Sequence, residues 1–129
     1  MALPLDRKGA LNEMDVYQIS CDLKPGVRDY TFVAALDGYL GSLKSAGKIE
    51  GWRLLRRKLG FGMPALGEFQ ILIETRDLAQ LDAAFSAVST RNEPVEGAHH
   101  GVNSLVVNFQ AALYRDFPDA QRVRGEERF

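Results

Sequence analysis

The fold of this chain is decided by an alternating stretch near its start, VYQISCDL at residues 16–23. The odd-numbered positions are largely apolar, and the even-numbered positions after Val16 are polar. This period of two predicts a β-strand with one buried face. The next residues, KPG at 24–26, end the strand, because Pro lacks an N–H and Gly permits a turn.

Residues 29–46 carry apolar side chains at spacings of three and four, which predicts an amphipathic helix. The apolar stripe consists of Phe32, Leu36, Tyr39, Leu40 and Leu43. Gly38 and Gly41 weaken a helix relative to Ala, and we interpret both as positions of close packing.

Residues 51–60 and 68–75 predict the two strands of a hairpin, joined by a Gly- and Pro-rich connection. In 68–75 the alternation is clean and places Phe69 on the apolar face. In 51–60 the adjacent Leu54 and Leu55 interrupt the alternation. The phase of that strand therefore stays open, and a bulge at this pair is one explanation.

Asp77 followed by Gln80 has the form of a helix N-terminal cap, and the helical pattern fades near Thr90. Residues 93–102 are rich in Gly and contain a Pro, so we interpret them as a loop. The last strand is predicted over residues 103–114. Its helix-facing set is Leu105, Val107, Phe109, Ala111 and Leu113.

The order of elements is therefore strand–helix–strand–strand–helix–strand. Strand–helix–strand units cross over right-handedly. The sequence thus predicts an α+β domain of the ferredoxin-like type, a four-stranded antiparallel sheet with two helices on one face. We assign this domain to residues 15–114, between a flexible N-terminal extension at 1–14 and an extended C-terminal tail at 115–129.

The face of the sheet opposite the helices, called here the helix-free face, is polar but carries little charge. We expect it to hold Val16, Gln18, Ser20, Asp22, Gln70, Leu72, Glu74, Val106, Asn108 and Gln110. Neutral amides with apolar neighbours indicate a partly covered surface rather than a solvated one. The cover is either a second copy of the chain, which gives a homodimer, or a ligand.

With this architecture the chain resembles the dimeric α+β barrel branch of ferredoxin-like proteins, in which two sheets face one another across a dimer. Three stretches look like a small bacterial family of dimeric ferredoxin-like proteins of unknown function: GWRLLRRKLG at 51–60, HHGVNS at 99–104 and LYRDFPD at 113–119. The wider superfamily includes cofactor-free monooxygenases, haem-degrading enzymes, lactone isomerases and stress-responsive proteins. The resemblance therefore implies an architecture and not a reaction.

The composition argues against several classes of partner. The chain of 129 residues has a formal net charge of −1, which disfavours nucleic-acid binding through phosphates. The predicted sheet also lacks the exposed aromatic residues of RNA-recognition modules. No apolar run is long enough to cross a membrane, and the first eight residues lack the apolar stretch of a signal peptide. We therefore expect a cytoplasmic protein.

Six residues are candidates for holding a ligand between two facing sheets: Arg53, Arg57, Gln18, Gln70, Asn108 and Gln110. The amides would orient the ligand, and an arginine pointing into the barrel would bind a carboxylate or phosphate through its paired donors. The alternative for the arginines is a solvated strand edge with ion pairs to nearby carboxylates. Asp22 and Glu74 are either an acid–base pair or such ion-pair partners.

His99 and His100 are the only histidines and the candidate catalytic residues, because imidazole exchanges protons near neutral pH. A packing or loop-capping role is the alternative. No HExxH pattern or cysteine partner accompanies them, so neither a metal nor a cofactor is predicted. Cys21, the single cysteine, is expected to be a buried structural thiol.

The residues thus predict a dimer that binds a small organic ligand, with the arginines favouring an anionic one. One alternative is a cofactor-independent monooxygenase- or isomerase-like enzyme using the same cavity. Another is a structural or stress-associated dimer without a ligand. The sequence leaves open whether the protein is an enzyme, since no clear acid–base or nucleophile constellation is present. Tyr39, Trp52 and Phe61 are aromatic candidates for a pocket wall or for the core.

Overall fold

The computed structural model describes residues 13–118 and Gly125. The elements in this part of the chain are β1 (Asp15–Leu23), α1 (Asp29–Ser45), β2 (Gly51–Arg56), β3 (Phe69–Thr75), α2 (Leu78–Ser89), α3 (Val95–Asn103) and β4 (Val106–Arg115). Of the predicted N-terminal extension only residues 13 and 14 are described, and of the predicted C-terminal tail only residues 115–118 and 125.

The four strands form one antiparallel sheet in the order β2-β3-β1-β4. The sheet packs its apolar face against the helices, so the predicted ferredoxin-like α+β architecture is confirmed. The structure adds a third helix, α3, to the two that the sequence predicts.

The core lies between the helices and the apolar face of the sheet. Four residues of the α1 stripe are buried as predicted, Tyr39 is partly buried, and the stripe meets Phe69, Ile71 and Ile73 of β3. The interpretation of the helix glycines is wrong, because a Cβ at Gly38 would have no atom within 4 Å. A Cβ at Gly41 would meet only a carboxylate oxygen of Asp37, at 3.9 Å.

The α2 helix begins where the sequence predicts. The Asp77 side chain accepts a hydrogen bond from the Gln80 amide at 2.8 Å, which satisfies one of the unpaired N–H groups of the first turn. The Gln80 side chain in turn accepts from the Arg76 N–H at 2.8 Å. Reciprocal caps of this kind fix the start of a helix.

Residues 95–103 form the helix α3, so the prediction of a loop over 93–102 is wrong for most of its length. Two glycines in this nine-residue helix weaken its local preference. Packing compensates, because Val102 is buried and belongs to the main core. The strand β4 consequently starts at Val106, three residues later than predicted.

A bulge lies in β4, not in β2. Ser20 pairs with Gln110 and Asp22 pairs with Val107, so Asn108 and Phe109 together face Cys21. The extra residue in β4 exchanges the two faces of the sheet for the β4 side chains that precede the bulge. Val106 therefore packs against the core, and its predicted place on the helix-free face is wrong.

The β2–β3 pairing runs without interruption from Gly51 to Arg56. It resolves the phase of β2, because Arg53 pairs with Leu72 and Leu55 pairs with Gln70. Both β2 residues therefore lie on the helix-free face, and the bulge suggested at the leucine pair does not form.

Candidate functional site

The amide side chains at the centre of the helix-free face bind one another. The Gln18 Nε2 group donates to Gln70 Oε1 at 3.0 Å, and the Gln70 Nε2 group donates to Ser20 Oγ at 2.9 Å. The sheet thus brings Gln18 and Gln70 together as the sequence suggests. Their donors, however, are directed at neighbouring protein groups.

The loop that joins β2 to β3, residues 57–68, is held against this same face. The Gly67 N–H donates to Ser20 Oγ at 2.8 Å, and Gln110 Nε2 donates to the Ala65 carbonyl at 2.8 Å. Gly67 lies so close to β1 that a Cβ there would collide with backbone atoms of Cys21. Polar residues predicted to bind a ligand therefore anchor a loop in this structure.

The two candidate arginines have different surroundings. Arg57 donates from Nη2 to the Leu66 carbonyl at 2.5 Å and so closes the loop on itself. Arg53 is exposed, stands beside Leu72, and has no hydrogen bond or ion pair within residues 13–118. The two guanidinium groups do not form a joint anion clamp. The neighbouring Arg56 makes an exposed ion pair with Asp29 at 3.1 Å.

Asn108 and Asp22 meet at the bulge, where Asn108 Nδ2 donates to Asp22 Oδ2 at 3.0 Å. This bond is the main cause that lowers the pKa of Asp22, followed by the Glu68 N–H and the charge of Arg57. Glu74 pairs with Val16, six residues along β1 from Asp22, which is a separation of about 20 Å. The acid–base pair considered for Asp22 and Glu74 is therefore wrong.

The histidines lie on α3, on the helix side of the sheet. The His99 ring is 5.3 Å from the Tyr39 ring, centroid to centroid, whereas His100 is exposed. Within one subunit the sheet separates both histidines from Gln18 and Gln70. A single pocket that combines these predicted groups does not form in the described chain.

A cavity of about 390 Å³ lies between the sheet and the three helices, and we call it the helix-side cavity. Its walls are almost entirely apolar. They include Ile19 and Cys21 of β1, Ala84 and Phe85 of α2, and Phe109 of β4. The volume is within the range of small-molecule sites, which are typically lined by apolar and aromatic side chains.

The polar groups of this cavity are few: Tyr17, Tyr39 and His99, with Ser89 and Asn103 near its edge. Burial, with a smaller contribution from the nearby Tyr17, raises the pKa of Tyr39 to about 12. Burial also raises the pKa of Tyr17. Both phenols are therefore neutral at physiological pH and are able to donate a hydrogen bond.

Cys21 is fully buried beside the cavity. Burial, together with the charge of Asp22, raises the pKa of its thiol to about 11. The thiolate is the nucleophilic form of cysteine, and this environment disfavours it. The expected burial of this thiol is confirmed.

A second hollow, of about 370 Å³, lies between the end of α2 and α3. It is lined by Val88, Ser89, Arg91, Glu96, His99, His100 and Asn103, and we call it the polar hollow. Four of these residues, Val88, Ser89, His99 and Asn103, also line the helix-side cavity. The two spaces are therefore neighbours that share a wall.

The sequence did not locate the helix-side cavity. Tyr39 was one aromatic candidate for a pocket wall, and it does line the cavity, whereas Trp52 and Phe61 do not. The apolar periodicity of the strands and helices reports which residues face inward. It does not report whether their side chains fill the space between the layers.

No group of three His, Cys, Asp or Glu side chains suited to a metal ion occurs within residues 13–118. In the same part of the chain no helix combines the length and apolar character needed to cross a bilayer.

The fold and cavity define a ferredoxin-like α+β domain, and sequence comparison places it more narrowly. The chain belongs to the family of unknown function DUF6614, whose model matches residues 14–129. No curated protein matches the chain in sequence.

Several solved structures share the fold at low sequence identity. SnoaB, a cofactor-independent oxygenase from Streptomyces nogalater, is 10% identical with a TM-score of 0.56, over 88% of this chain and 97% of that one. A dimeric ferredoxin-like protein of unknown function from Thermobifida fusca is 12% identical with a TM-score of 0.53, over 78% and 90%. Another from Bacteroides fragilis is 10% identical with a TM-score of 0.52, over 78% and 94%.

Proposed function

We propose that this protein binds a small, mostly apolar organic compound in the helix-side cavity of each subunit. The observation that carries the proposal is the cavity itself, about 390 Å³ of apolar space that contains two phenols and an imidazole. Neither the Tyr17 nor the Tyr39 hydroxyl has a hydrogen-bond partner within residues 13–118. A ligand with a carbonyl or hydroxyl oxygen would accept a hydrogen bond from either phenol.

The protein acts as a homodimer through the helix-free face in this proposal. Two fold neighbours are described as dimeric. The face of this chain carries apolar side chains among neutral ones, including Leu55, which is 38% exposed, and Tyr114, which is 58% exposed. A second sheet packed on this face would remove both side chains from water, and burial of apolar area favours association.

A ligand between the two sheets, as the sequence suggested, stays a prediction. Arg53 supports it, because its guanidinium is unpaired within the described residues and lies on the helix-free face. The hydrogen bonds of Gln70, Gln110 and Arg57 to protein groups favour the helix-side cavity over this alternative. The cytoplasmic location likewise stays a prediction.

A second candidate function is a cofactor-independent enzyme that uses the same cavity. His99 next to Tyr39 favours it, since an imidazole base and a phenol donor together enolise a ketone. His99 would take a proton from the carbon next to the carbonyl, and Tyr39 would stabilise the oxygen of the enolate. SnoaB, a fold neighbour, is itself a cofactor-independent oxygenase.

Deuterium exchange into 2-tetralone, followed by NMR, tests the enzymatic candidate. We expect His99→Gln to slow the catalysed exchange by about 100-fold, whereas His100→Gln, one residue away and exposed, leaves it unchanged. Exchange at the uncatalysed rate with the native protein would reject an enolising enzyme and leave the binding proposal standing.

Fluorescence of the neutral probe N-phenyl-1-naphthylamine tests the binding proposal. Ala84 is buried in the cavity wall and Ala83 is exposed on the same helix. We expect Ala84→Phe to fill the cavity and weaken probe binding by about tenfold or more, while Ala83→Phe leaves binding unchanged. Equal probe affinity in both variants would reject the helix-side site.

The free energy of unfolding of the Ala84→Phe variant provides a second test of whether the cavity is empty. A phenyl group placed in genuinely empty apolar space raises the free energy of unfolding by about 1–3 kcal/mol. In a filled core the same change would lower it by a similar amount, about 1–3 kcal/mol.

A further inference from the structure

We infer that the ligand is amphipathic, with its apolar body in the helix-side cavity and a carboxylate in the polar hollow beside Arg91. This inference rests on the proposed function and adds the chemical class of the compound. The two spaces share Val88, Ser89, His99 and Asn103. In this proposal a molecule longer than the cavity passes between these shared residues, with its head group in the hollow.

Arg91 supplies a cation at this position. It directly follows the C-terminal cap residue of α2, Thr90, and its φ of 55° is in the left-handed region. That conformation costs a residue with a side chain about 1–2 kcal/mol, which is why Gly is the usual choice there. The side chain lines the hollow, is exposed, and forms no ion pair within residues 13–118.

Hydrogen-bond donors outnumber charged acceptors in the hollow. The Arg91 guanidinium matches the geometry of a carboxylate with two parallel N–H donors. His100, His99 and Asn103 present further N–H groups. The one carboxylate of the lining is Glu96, which forms no ion pair with Arg91. Glu96 opposes a second negative charge, so its removal is expected to strengthen binding of an anion.

Three ligands that share a naphthyl ring and differ only in the head group test the two spaces separately. They are 2-naphthoic acid, 2-naphthalenemethanol and 2-(aminomethyl)naphthalene. Titration calorimetry with the full chain is expected to show the acid binding about tenfold more tightly than the alcohol, the typical gain of a charge-assisted hydrogen bond. The amine is expected to bind more weakly than the alcohol.

Variants of the hollow then assign the preference to Arg91. Arg91→Gln is expected to remove the advantage of the acid, so that the acid and the alcohol bind with similar affinity. Glu96→Gln is expected to tighten binding of the acid several-fold, since a like charge is removed. Arg28→Gln, the same change at an exposed arginine outside the hollow, is expected to leave all three affinities unchanged.

The outcomes distinguish this inference from the proposal on which it rests. If the alcohol binds and Ala84→Phe blocks it, but the acid has no advantage or the amine binds best, the carboxylate assignment is overturned and the cavity proposal stands. If none of the three compounds binds although N-phenyl-1-naphthylamine does, the carboxylate assignment is overturned and the cavity proposal stands; if that probe fails as well, both are overturned. If the acid preference survives Arg91→Gln, the head group does not lie in the polar hollow.

Discussion

Asn108 is the residue on which the geometry of β4 depends. Its φ of 56° is left-handed, a conformation that Asn tolerates better than most residues with a side chain. Its amide also binds Asp22. We expect Asn108→Ala to lower the free energy of unfolding by about 1–2 kcal/mol, because Ala is strained there and makes no such bond.

The matched control for this prediction is Asn108→Gly, which keeps the left-handed backbone free of strain. Urea unfolding of both variants measures the two contributions. Glycine should cost clearly less than alanine, and equal losses would show that the backbone conformation has no bearing on stability.

Asp22 gives a pH dependence whose sign follows from its surroundings. Hydrogen bonds from Asn108 and Glu68, with the charge of Arg57, lower its pKa in the folded state. Its contribution to stability is therefore complete above the ordinary Asp pKa of about 3.9 and is lost as the pH falls through the lower folded value. The stability difference between native protein and Asp22→Asn should shrink as the pH is lowered from 7 to 3, measured by urea midpoints. A constant difference would contradict this account.

At the scale of single residues, the sequence predicted which side chains are buried better than it predicted their hydrogen-bond partners. The inward phase of Cys21 and the α1 stripe follows from periodicity alone, and both face the core, with Tyr39 of the stripe partly buried. The partners of Arg57 and Gln110 are carbonyl groups of the 57–68 loop. Those contacts depend on how an irregular segment folds back, and no local pattern encodes that.

At the scale of the elements, helix α1 contains a glycine that a residue of higher helix propensity could replace. Gly38 lies in its middle and a Cβ there would meet no neighbour. Gly38→Ala is therefore expected to raise the free energy of unfolding by about 1 kcal/mol, the difference in helix propensity. Gly67→Ala is the contrasting variant, since its Cβ would collide with the backbone of Cys21 and should destabilise the fold. Thermal unfolding of the pair checks both directions.

The helix α3 shows why element prediction failed where it did. Its nine residues include Gly97 and Gly101, which indicate a loop when only propensity is considered. Burial of Val102 and packing of α3 on α1 override that preference. This change of element carries the functional consequence, because it turns His99 toward Tyr39 and the helix-side cavity.

At the scale of the whole molecule, the proposed homodimer would use the helix-free face as its central contact. Leu72 lies in the middle of that face, between Gln18 and Arg53. Leu72→Glu would place a charge in the interface while its neighbour Arg53 keeps it tolerable in the monomer. We expect a dimer-to-monomer change by size-exclusion chromatography with light scattering. Val33→Glu, on an exposed position of α1, should remain dimeric, and dimeric Leu72→Glu would contradict this interface.

The architecture of the molecule could be predicted from the sequence, but the site could not. The order of strands and helices depends on local periodicity, which Phe69 and Leu36 illustrate by their burial. A cavity is what remains after every side chain is packed, so its presence between Ile19 and Ala84 depends on distances between layers. The amides of the helix-free face, which were easy to identify, are largely bonded to one another and to the 57–68 loop.

Anomalous scattering from crystals soaked with 6-bromo-2-naphthoic acid would locate a bound ligand in the molecule without any assumption about its site. We expect a bromine peak between the sheet and the helices, close to Ile19 and Ala84, with density for the carboxylate extending toward Arg91. A peak on the helix-free face near Gln18 and Gln70, or no peak at saturating concentration, would contradict it.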